Sequence, residues 1–405
     1  MNNIAYSLPP AGSSLPKKYL FRTALSWCRN DGDIKPSFLH TPGFHILTTS
    51  SGTSALYLGL KTLKRLSNKK KVILPAYSCP QIIAAVCKAG LEPILCDVEP
   101  RTLGMIREDL NDKATSEVLA VIGVDLYGIP ENMSNIKAHM KEKGIFVIED
   151  SAQAFPSPSQ SSLADVRYQG HDTSPDMIVY SFSRGKPFGL LYGGAILFSD
   201  ENVFLAGKEI YSNIKEEDHA YFIVYFIRTM IYSIFFNPYL YWIPENIPWL
   251  KLGETLYRTD FKSKKMPKWA FHLGNEMIHF FEEIAMIRRK LEAIYTTHLA
   301  RFKEEFILFP GNIEEHHILS RYPIIFKNKE VRNRILDVLK HAGLGATGSY
   351  PAPLDELEEI KQSIFLMRNH PNAKMISERI LTLPLHEKVR TKDICNIEKI
   401  FEKYL

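Results

Sequence analysis

Cysteine is scarce. The 405 residues hold five thiols, Cys28, Cys79, Cys87, Cys96 and Cys395. They are scattered, odd in number and nowhere spaced C-x-x-C, which excludes a disulfide framework and points to a reducing compartment. Metal-ligand spacing is missing too, so no metal site is expected. Charge of one sign is nowhere concentrated. Lys+Arg 50 against Asp+Glu 45 leaves +5, and the one basic cluster, Asn68-Lys69-Lys70-Lys71, falls between a helix and a strand as a solvated turn. No nucleic-acid partner is expected. The opening stretch, MNNIAYSLPPAGSSLPKKYLF, lacks a basic segment followed by an apolar core. No secretory signal is therefore expected, and the reading is a cytoplasmic protein. There is no internal repeat. At 45% hydrophobic and 23% charged the chain has ordinary globular usage, which excludes disordered and collagen-like classes. One quantity is high: Tyr 19, Phe 23 and Trp 4.

From about residue 50 the pattern alternates between helix and strand. Ser50 to Lys64 reads as a capped helix, with Leu56, Leu60 and Leu63 at helical spacing. Short apolar runs at Val72 to Ala76, Pro93 to Asp97, Leu119 to Val124, Ile145 to Ile148, Met177 to Phe182 and Gly194 to Phe198 read as strands. Helices are expected at Pro80 to Ala89 and Asn132 to Lys143. This order predicts an α/β fold with a mainly parallel sheet covered on both faces. Pro156 to Pro175 reads as a long loop. A long amphipathic helix is expected at Glu276 to Lys303. After it Ile318 to Phe326, a helix at Glu330 to Ala342, Leu381 to Leu385 and a last helix from Lys392 to Tyr404 predict a smaller α+β domain. The expected division is 1–275 and 276–405.

Four segments can carry chemistry. Thr49-Ser-Ser-Gly-Thr-Ser-Ala-Leu56 sets a glycine among hydroxyl residues at a helix start, a seat for phosphate or an ordinary N-cap. Phe146-Val-Ile-Glu-Asp150-Ser-Ala-Gln153 ends a strand on two acids, where open α/β sheets bind ligands. A carboxylate there can pair with a protonated ring nitrogen, or be a solvated strand end. Tyr180-Ser181-Phe-Ser183-Arg184-Gly185-Lys186-Pro187-Phe188-Gly189 holds a lysine in a tight loop, able to form a Schiff base if desolvated. Asp125-Leu-Tyr127-Gly128-Ile-Pro130 is another strand end opening a turn.

Taken in order, these strings resemble the sugar aminotransferases of the DegT/DnrJ/EryC1/StrS family: SSGTSAL (50–56), VILPAYSCPQIIAAVCKAGLEPILCDVEP (72–100), DLYGIPENMSNI (125–136), VIEDSAQAF (147–155), YSFSRGKPFG (180–189) with GGAILFSD (193–200), and ILTLPLHEKV (380–389). The resemblance implies the pyridoxal 5′-phosphate transferase fold of type I, with a large cofactor-binding domain and a small C-terminal one. It implies Lys186 as the residue that carries the cofactor as an internal aldimine and acts as general base. Asp150 is implied at the pyridinium nitrogen, Gln153 near the phenolic oxygen, and Gly52, Thr53, Ser54 and Ser181 at the phosphate. A subgroup of dehydratases has histidine at the position of Lys186, so lysine favours transamination. The implied reaction passes an amino group from a donor such as glutamate to a keto-sugar, nucleotide-linked, for polysaccharide or glycoconjugate synthesis. A homodimer is implied as well. The alternatives are another reaction of the same cofactor or a catalytically silent scaffold relative.

The resemblance thins in places. Relatives stack an aromatic on the cofactor ring at the position of Cys79; Tyr77 is the expected substitute. Tyr77 and Tyr350 are candidate substrate contacts. Ser349 and Asp355 stand where relatives carry histidines that reach the sugar. Lys262 or Lys264 is the candidate for a partner-subunit asparagine that touches the phosphate. Residues 203–265 form an expanded insertion, and Ala220 to Ile243 contains one charge, Arg228. Eleven aromatics crowd Tyr221 to Trp249: Tyr221, Phe222, Tyr225, Phe226, Tyr232, Phe235, Phe236, Tyr239, Tyr241, Trp242 and Trp249. This segment is read either as a buried subunit-contact or lid element, or as a helix in a membrane interface through about 220–249. A transmembrane span is disfavoured by Asn237-Pro238 and by flanks that lie within a soluble fold.

Overall fold

The structure is a computed structural model, and it describes residues 6–29, 34–155, 174–250, 253, 257–308, 318–362 and 369–405. Most of the expected loop at Pro156 to Pro175 lies outside the described residues. The apolar runs form seven strands: β1 His45–Thr49, β2 Lys71–Pro75, β3 Glu92–Cys96, β4 Val118–Val124, β5 Phe146–Asp150, β6 Met177–Ser181 and β7 Gly194–Phe198. They make one sheet in the order β1-β7-β6-β5-β4-β2-β3. β7 runs antiparallel to β1 and β6, and the remaining pairs are parallel. The helices that matter here are α1 Lys17–Arg29, α2 Gly52–Leu66, α3 Pro80–Lys88, α4 Arg107–Lys113, α5 Met133–Glu142, α6 Glu201–Ser212, α7 Tyr221–Phe235, α8 Lys268–Leu299, α9 Lys329–His341, α10 Pro371–Arg379 and α11 Thr391–Tyr404.

Burial on both faces explains why the strands read as unbroken apolar runs. Every residue of β4, β6 and β7 is buried. Along β6, Met177 and Val179 join the layer that holds Leu56, Leu60 and Leu63 of α2. Ile178 and Tyr180 point the other way, to the layer of Met140 from α5 and Phe281 and Ile284 from α8. One period-2 strand thus feeds two cores. The long helix α8 begins at Lys268, earlier than expected, because Trp269, Ala270, Leu273 and Met277 extend its buried stripe backwards.

A second, antiparallel sheet follows, β8 Phe306–Leu308, β9 Arg321–Phe326 and β10 Ile380–Pro384, in the order β10-β9-β8. Ile324, Ile335, Leu339, Ile397 and Phe401 pack it against α9 and α11. The N-terminal arm belongs with this unit as well as with the large one. Leu8 N donates to Gly343 O at 2.9 Å, and Tyr6 Oη donates to Asp393 at 2.9 Å.

The insertion is narrower than 203–265. α6 is part of the core: Gly207 lets it approach β7 and α2 so closely that a Cβ there would stand 3.1 Å from Phe198 and Thr62. Within the insertion, the aromatics of α7 turn inward. Phe222 stacks on Trp27 at 4.8 Å, and Tyr225 lies tilted against Trp269 at 4.2 Å. Tyr225 Oη donates to Leu190 O at 2.6 Å, and Tyr232 Oη to Ser13 O at 2.9 Å. Among the described residues no helix is long and apolar enough to cross a membrane.

Candidate active site

The C-terminal ends of the parallel strands open into one cavity of about 730 Å³. Its floor comes from the large sheet: Gly52 and Thr53 at the start of α2, Val124 and Asp150 at the ends of β4 and β5, Gln153 just beyond, and Ser181 at the end of β6. Ser183, Arg184, Gly185 and Lys186 form one wall, and Arg321, Thr347, Ser349 and Tyr350 of the small unit form another. Gly52, Thr53, Asp150, Gln153, Ser181, Lys186 and Tyr350, picked out from the sequence, therefore meet in one space.

Two candidates do not line it. Ser54 is fully buried behind the helix start, where its N–H donates to Ser51 Oγ at 3.2 Å and its hydroxyl to Lys262 O at 3.4 Å. Tyr77 lies behind the wall, donating to Tyr350 O at 3.3 Å, with its ring edge-on to Tyr350 at 5.7 Å. The aromatic presented to the cavity beside Cys79 is thus Tyr350, which arrives from the small unit. Asp355 also turns away: it pairs with His370 at 3.2 Å, and both are buried. Of the two histidine-replacing positions, Ser349 alone faces the cavity. Lys264 is committed within its own chain to Glu217, which also accepts from Tyr192 Oη at 2.7 Å. Among the described residues no cluster of His, Cys, Asp or Glu could hold a metal.

Lys186 sits in a loop closed by local chemistry. Gly185 has φ +79°, a left-handed turn open to glycine, and Lys186 N donates to Ser183 O at 3.3 Å. Phe182 N donates to Gly193 O and Leu190 N to Phe182 O, both at 2.9 Å, clamping the loop at its ends. Phe188 anchors its far side, stacked on Phe155 at 4.7 Å and edge-on to Phe281 at 5.3 Å. The Tyr225 hydroxyl of α7, donating to Leu190 O, braces it from behind.

Asp150 is buried opposite the lysine. Burial pushes its carboxyl above the usual range, while the Lys186 ammonium and the Ala152 N–H, which donates to it at 3.0 Å, pull it down. Cys79, the residue before α3, is pushed up by burial and drawn down by the same ammonium. Beneath Asp150, Ser151 Oγ lies 2.8 Å from Asp125 and 2.9 Å from Glu149, its one O–H shared between the two carboxyl groups. Gln153 bridges the two units: its Oε1 accepts from Tyr127 N at 3.3 Å and its Nε2 donates to Tyr350 Oη at 3.4 Å. Tyr127 and Ser349, whose hydroxyls touch, both have left-handed backbone, φ +59° and +58°.

The arrangement fits pyridoxal 5′-phosphate. A lysine amine and a buried carboxylate face one space, and a helix start with a glycine supplies an anion seat beside them. The seat is tight: a Cβ on Gly52 would stand 2.6 Å from Ser181 Cβ. Gly52→Ala should therefore push the start of α2 off Ser181 and weaken cofactor affinity by about tenfold or more, measured by equilibrium dialysis. Unchanged affinity would remove the helix start from the phosphate seat.

Sequence reasoning missed Arg321 and Thr347. Arg321 lies at the first position of β9 and donates from Nη1 to Thr347 at 2.9 Å and Thr382 at 3.5 Å. Nothing in its local sequence marks it; only the packing of the small sheet over the large one brings it to the cavity.

A parallel sheet with one reversed strand, carrying a lysine–aspartate pair at its C-terminal edge beneath a small α+β cap, defines a fold-type-I pyridoxal-phosphate transferase. The DegT/DnrJ/EryC1/StrS aminotransferase family model matches residues 38–212 and 261–402. The chain belongs to this family and is a pyridoxal-phosphate-dependent aminotransferase. The match stops at residue 212 and resumes at 261, on either side of the α7 segment. Among relatives, the UDP-N-acetyl-3-dehydro-alpha-D-glucosamine 3-aminotransferase of Acidithiobacillus ferrooxidans is 24% identical over 89% of this chain and 84% of its own. The dTDP-4-dehydro-2,3,6-trideoxy-D-glucose 4-aminotransferase of Saccharopolyspora spinosa is 24% identical over 88% and 84%. In fold, the PLP form of the putative sugar aminotransferase Spr1654 from Streptococcus pneumoniae superposes with a TM-score of 0.73, 19% identity and coverage of 99% of this chain and all of that one.

Proposed function

We propose that this enzyme moves the amino group of glutamate onto a keto group of a nucleotide-linked sugar, in glycoconjugate synthesis. The carrying observation is the pairing of Lys186 and buried Asp150 across a cavity of about 730 Å³, large enough for more than an amino acid. Relatives that match over most of their length act on UDP- and dTDP-linked keto-sugars. Bound pyridoxal phosphate supplies a carbonyl that takes up the amino group and a ring that holds the electron pair left on carbon.

The protein's own residues do the rest. Gly52, Thr53 and Ser181 hold the phosphate, and Asp150 keeps the ring nitrogen protonated. Lys186 Nζ would hold the cofactor and, freed by the donor, would take the proton from the donor's Cα. Delivering that proton to the cofactor's former carbonyl carbon, followed by water releasing the keto acid, would complete the first half-reaction, and the same steps would run in reverse on the keto-sugar. Arg321 takes the donor's carboxylate, held in place by Thr347 and Thr382. Arg321→Gln should raise the donor KM by about tenfold or more while leaving the acceptor KM nearly unchanged. Equal effects on both substrates would place the carboxylate elsewhere.

The enzyme is proposed to be a cytoplasmic homodimer, which suits its free thiols. The direct test incubates holoenzyme with glutamate and a panel of keto-sugar nucleotides, followed by mass spectrometry. Aminated sugar with matching 2-oxoglutarate supports the reading; donor turnover without any aminated sugar sinks it.

A further inference from the structure

Helix α7 is apolar on both sides. Phe222 and Tyr225 face inward and are buried in the chain's own core, as is Phe236 just past the helix end. Its outward stripe is aliphatic: Ile223, Val224, Ile227, Ile231 and Ile234, each 41% to 53% exposed and all at helical spacing. α1 packs antiparallel beside it, through Trp27 on Phe222 and Phe21 on Phe226, and extends the strip with exposed Phe21 and Leu25. Cations edge this strip. Lys18, Arg22 and Arg29 stand on the exposed face of α1, and Arg228 on the edge of α7 away from Phe226. Arg22 also pairs with Glu276 of α8 at 3.0 Å. Neither helix carries an aspartate or glutamate.

The geometry of α7 limits what covers it. Its 15 residues extend about 22 Å at 1.5 Å per residue, short of the roughly 30 Å hydrocarbon core. We propose that the α1/α7 face docks on an anionic lipid surface. α7 lies in the plane of the interface, with its isoleucines at the acyl boundary and the lysine and arginines at the level of the lipid phosphates. A second copy of the chain is the rival occupant, and charge argues against it. Two-fold pairing with its axis through the strip sets the strip against itself and brings basic edges onto basic edges, with no carboxylate on either helix to offset them. Lipid phosphate neutralises both edges at once. Because Tyr225 ties α7 to Leu190 at the end of the Lys186 loop, docking holds the catalytic unit at the surface.

The test uses full-length holoenzyme and sedimentation with vesicles of phosphatidylcholine, with and without phosphatidylglycerol. The variant is Ile227→Gln with Ile231→Gln, both exposed and away from the cavity, so bound-cofactor absorbance and solution activity should be unchanged. Wild type should partition onto the anionic vesicles, with partition falling about tenfold in the variant and at high salt. Failure to bind anionic vesicles overturns the proposal, as does binding that neither the variant nor salt reduces. A variant that keeps wild-type vesicle binding but changes oligomeric state in analytical ultracentrifugation assigns the face to a second copy instead.

Discussion

Lys186→Ala should yield a folded protein that lacks the visible absorbance of bound cofactor and transaminates about 10³–10⁴-fold more slowly, the scale set by loss of a positioned acid–base group. The fold survives because Lys186 does not close its own loop. Closure rests on the turn at Gly185, the pair of backbone bonds through Phe182, and Phe188 packed between Phe155 and Phe281. Removing a half-buried amine from that frame makes no cavity in a core, so the melting temperature should stay near that of wild type. A purely structural role predicts the reverse pattern, with lost stability and partial activity. Small primary amines added to the variant offer a second readout: restored donor turnover in proportion to their basicity identifies Nζ as the group that moves the proton. Full activity in Lys186→Ala would end the aminotransferase reading of this cavity.

The strands and the three motif-bearing turns were legible because each rests on local chemistry. An unbroken apolar run of about five residues has few homes other than a sheet covered on both faces, and its polar end then falls at the sheet's carboxyl edge. Side-chain direction was less legible. Tyr77 was the expected cover for the space beside Cys79, yet the seating of the small unit on the large one puts Tyr350 in front. Asp355 looked like a stand-in for a sugar-contacting histidine, yet the buried His370, 15 residues further on, claims it. Arg321 escaped notice for the same reason: an arginine opening a strand has no local signature. The insertion shows a different limit. Eleven aromatics in one segment marked it as apolar, but periodicity cannot orient a helix that is apolar all round. The structure sends Phe222 and Tyr225 inward to Trp27, Trp269 and Leu190, leaves Tyr239 and Trp249 exposed, and sets the isoleucines of α7 outside. Of that compositional excess, Tyr225 is the residue that braces the lysine loop.

The second large effect separates binding the cofactor from using it. Asp150 is held in a buried pocket where its charge is stabilised by a cation opposite and by the Ala152 N–H at 3.0 Å. In Asp150→Asn the amide oxygen can keep the Ala152 bond, and its N–H can donate to an unprotonated ring nitrogen. Cofactor affinity should therefore change by only a few-fold. What is lost is the negative charge that keeps the ring nitrogen protonated, and with it the pull on the electron pair at the donor's Cα. The rate of the first half-reaction should fall on the order of 10²–10³-fold, the size expected for one preorganised electrostatic partner. Asp150→Ala should lose both, since the Ala152 N–H is left without its acceptor and the ring nitrogen without a partner. Stopped-flow decay of the bound-cofactor absorbance on mixing with glutamate measures the rate, and equilibrium dialysis the affinity. If Asn and Ala lower affinity equally and leave the rate of the bound fraction intact, Asp150 is a binding residue alone. The acid at the end of β5 would then owe its position to the sheet rather than to the chemistry.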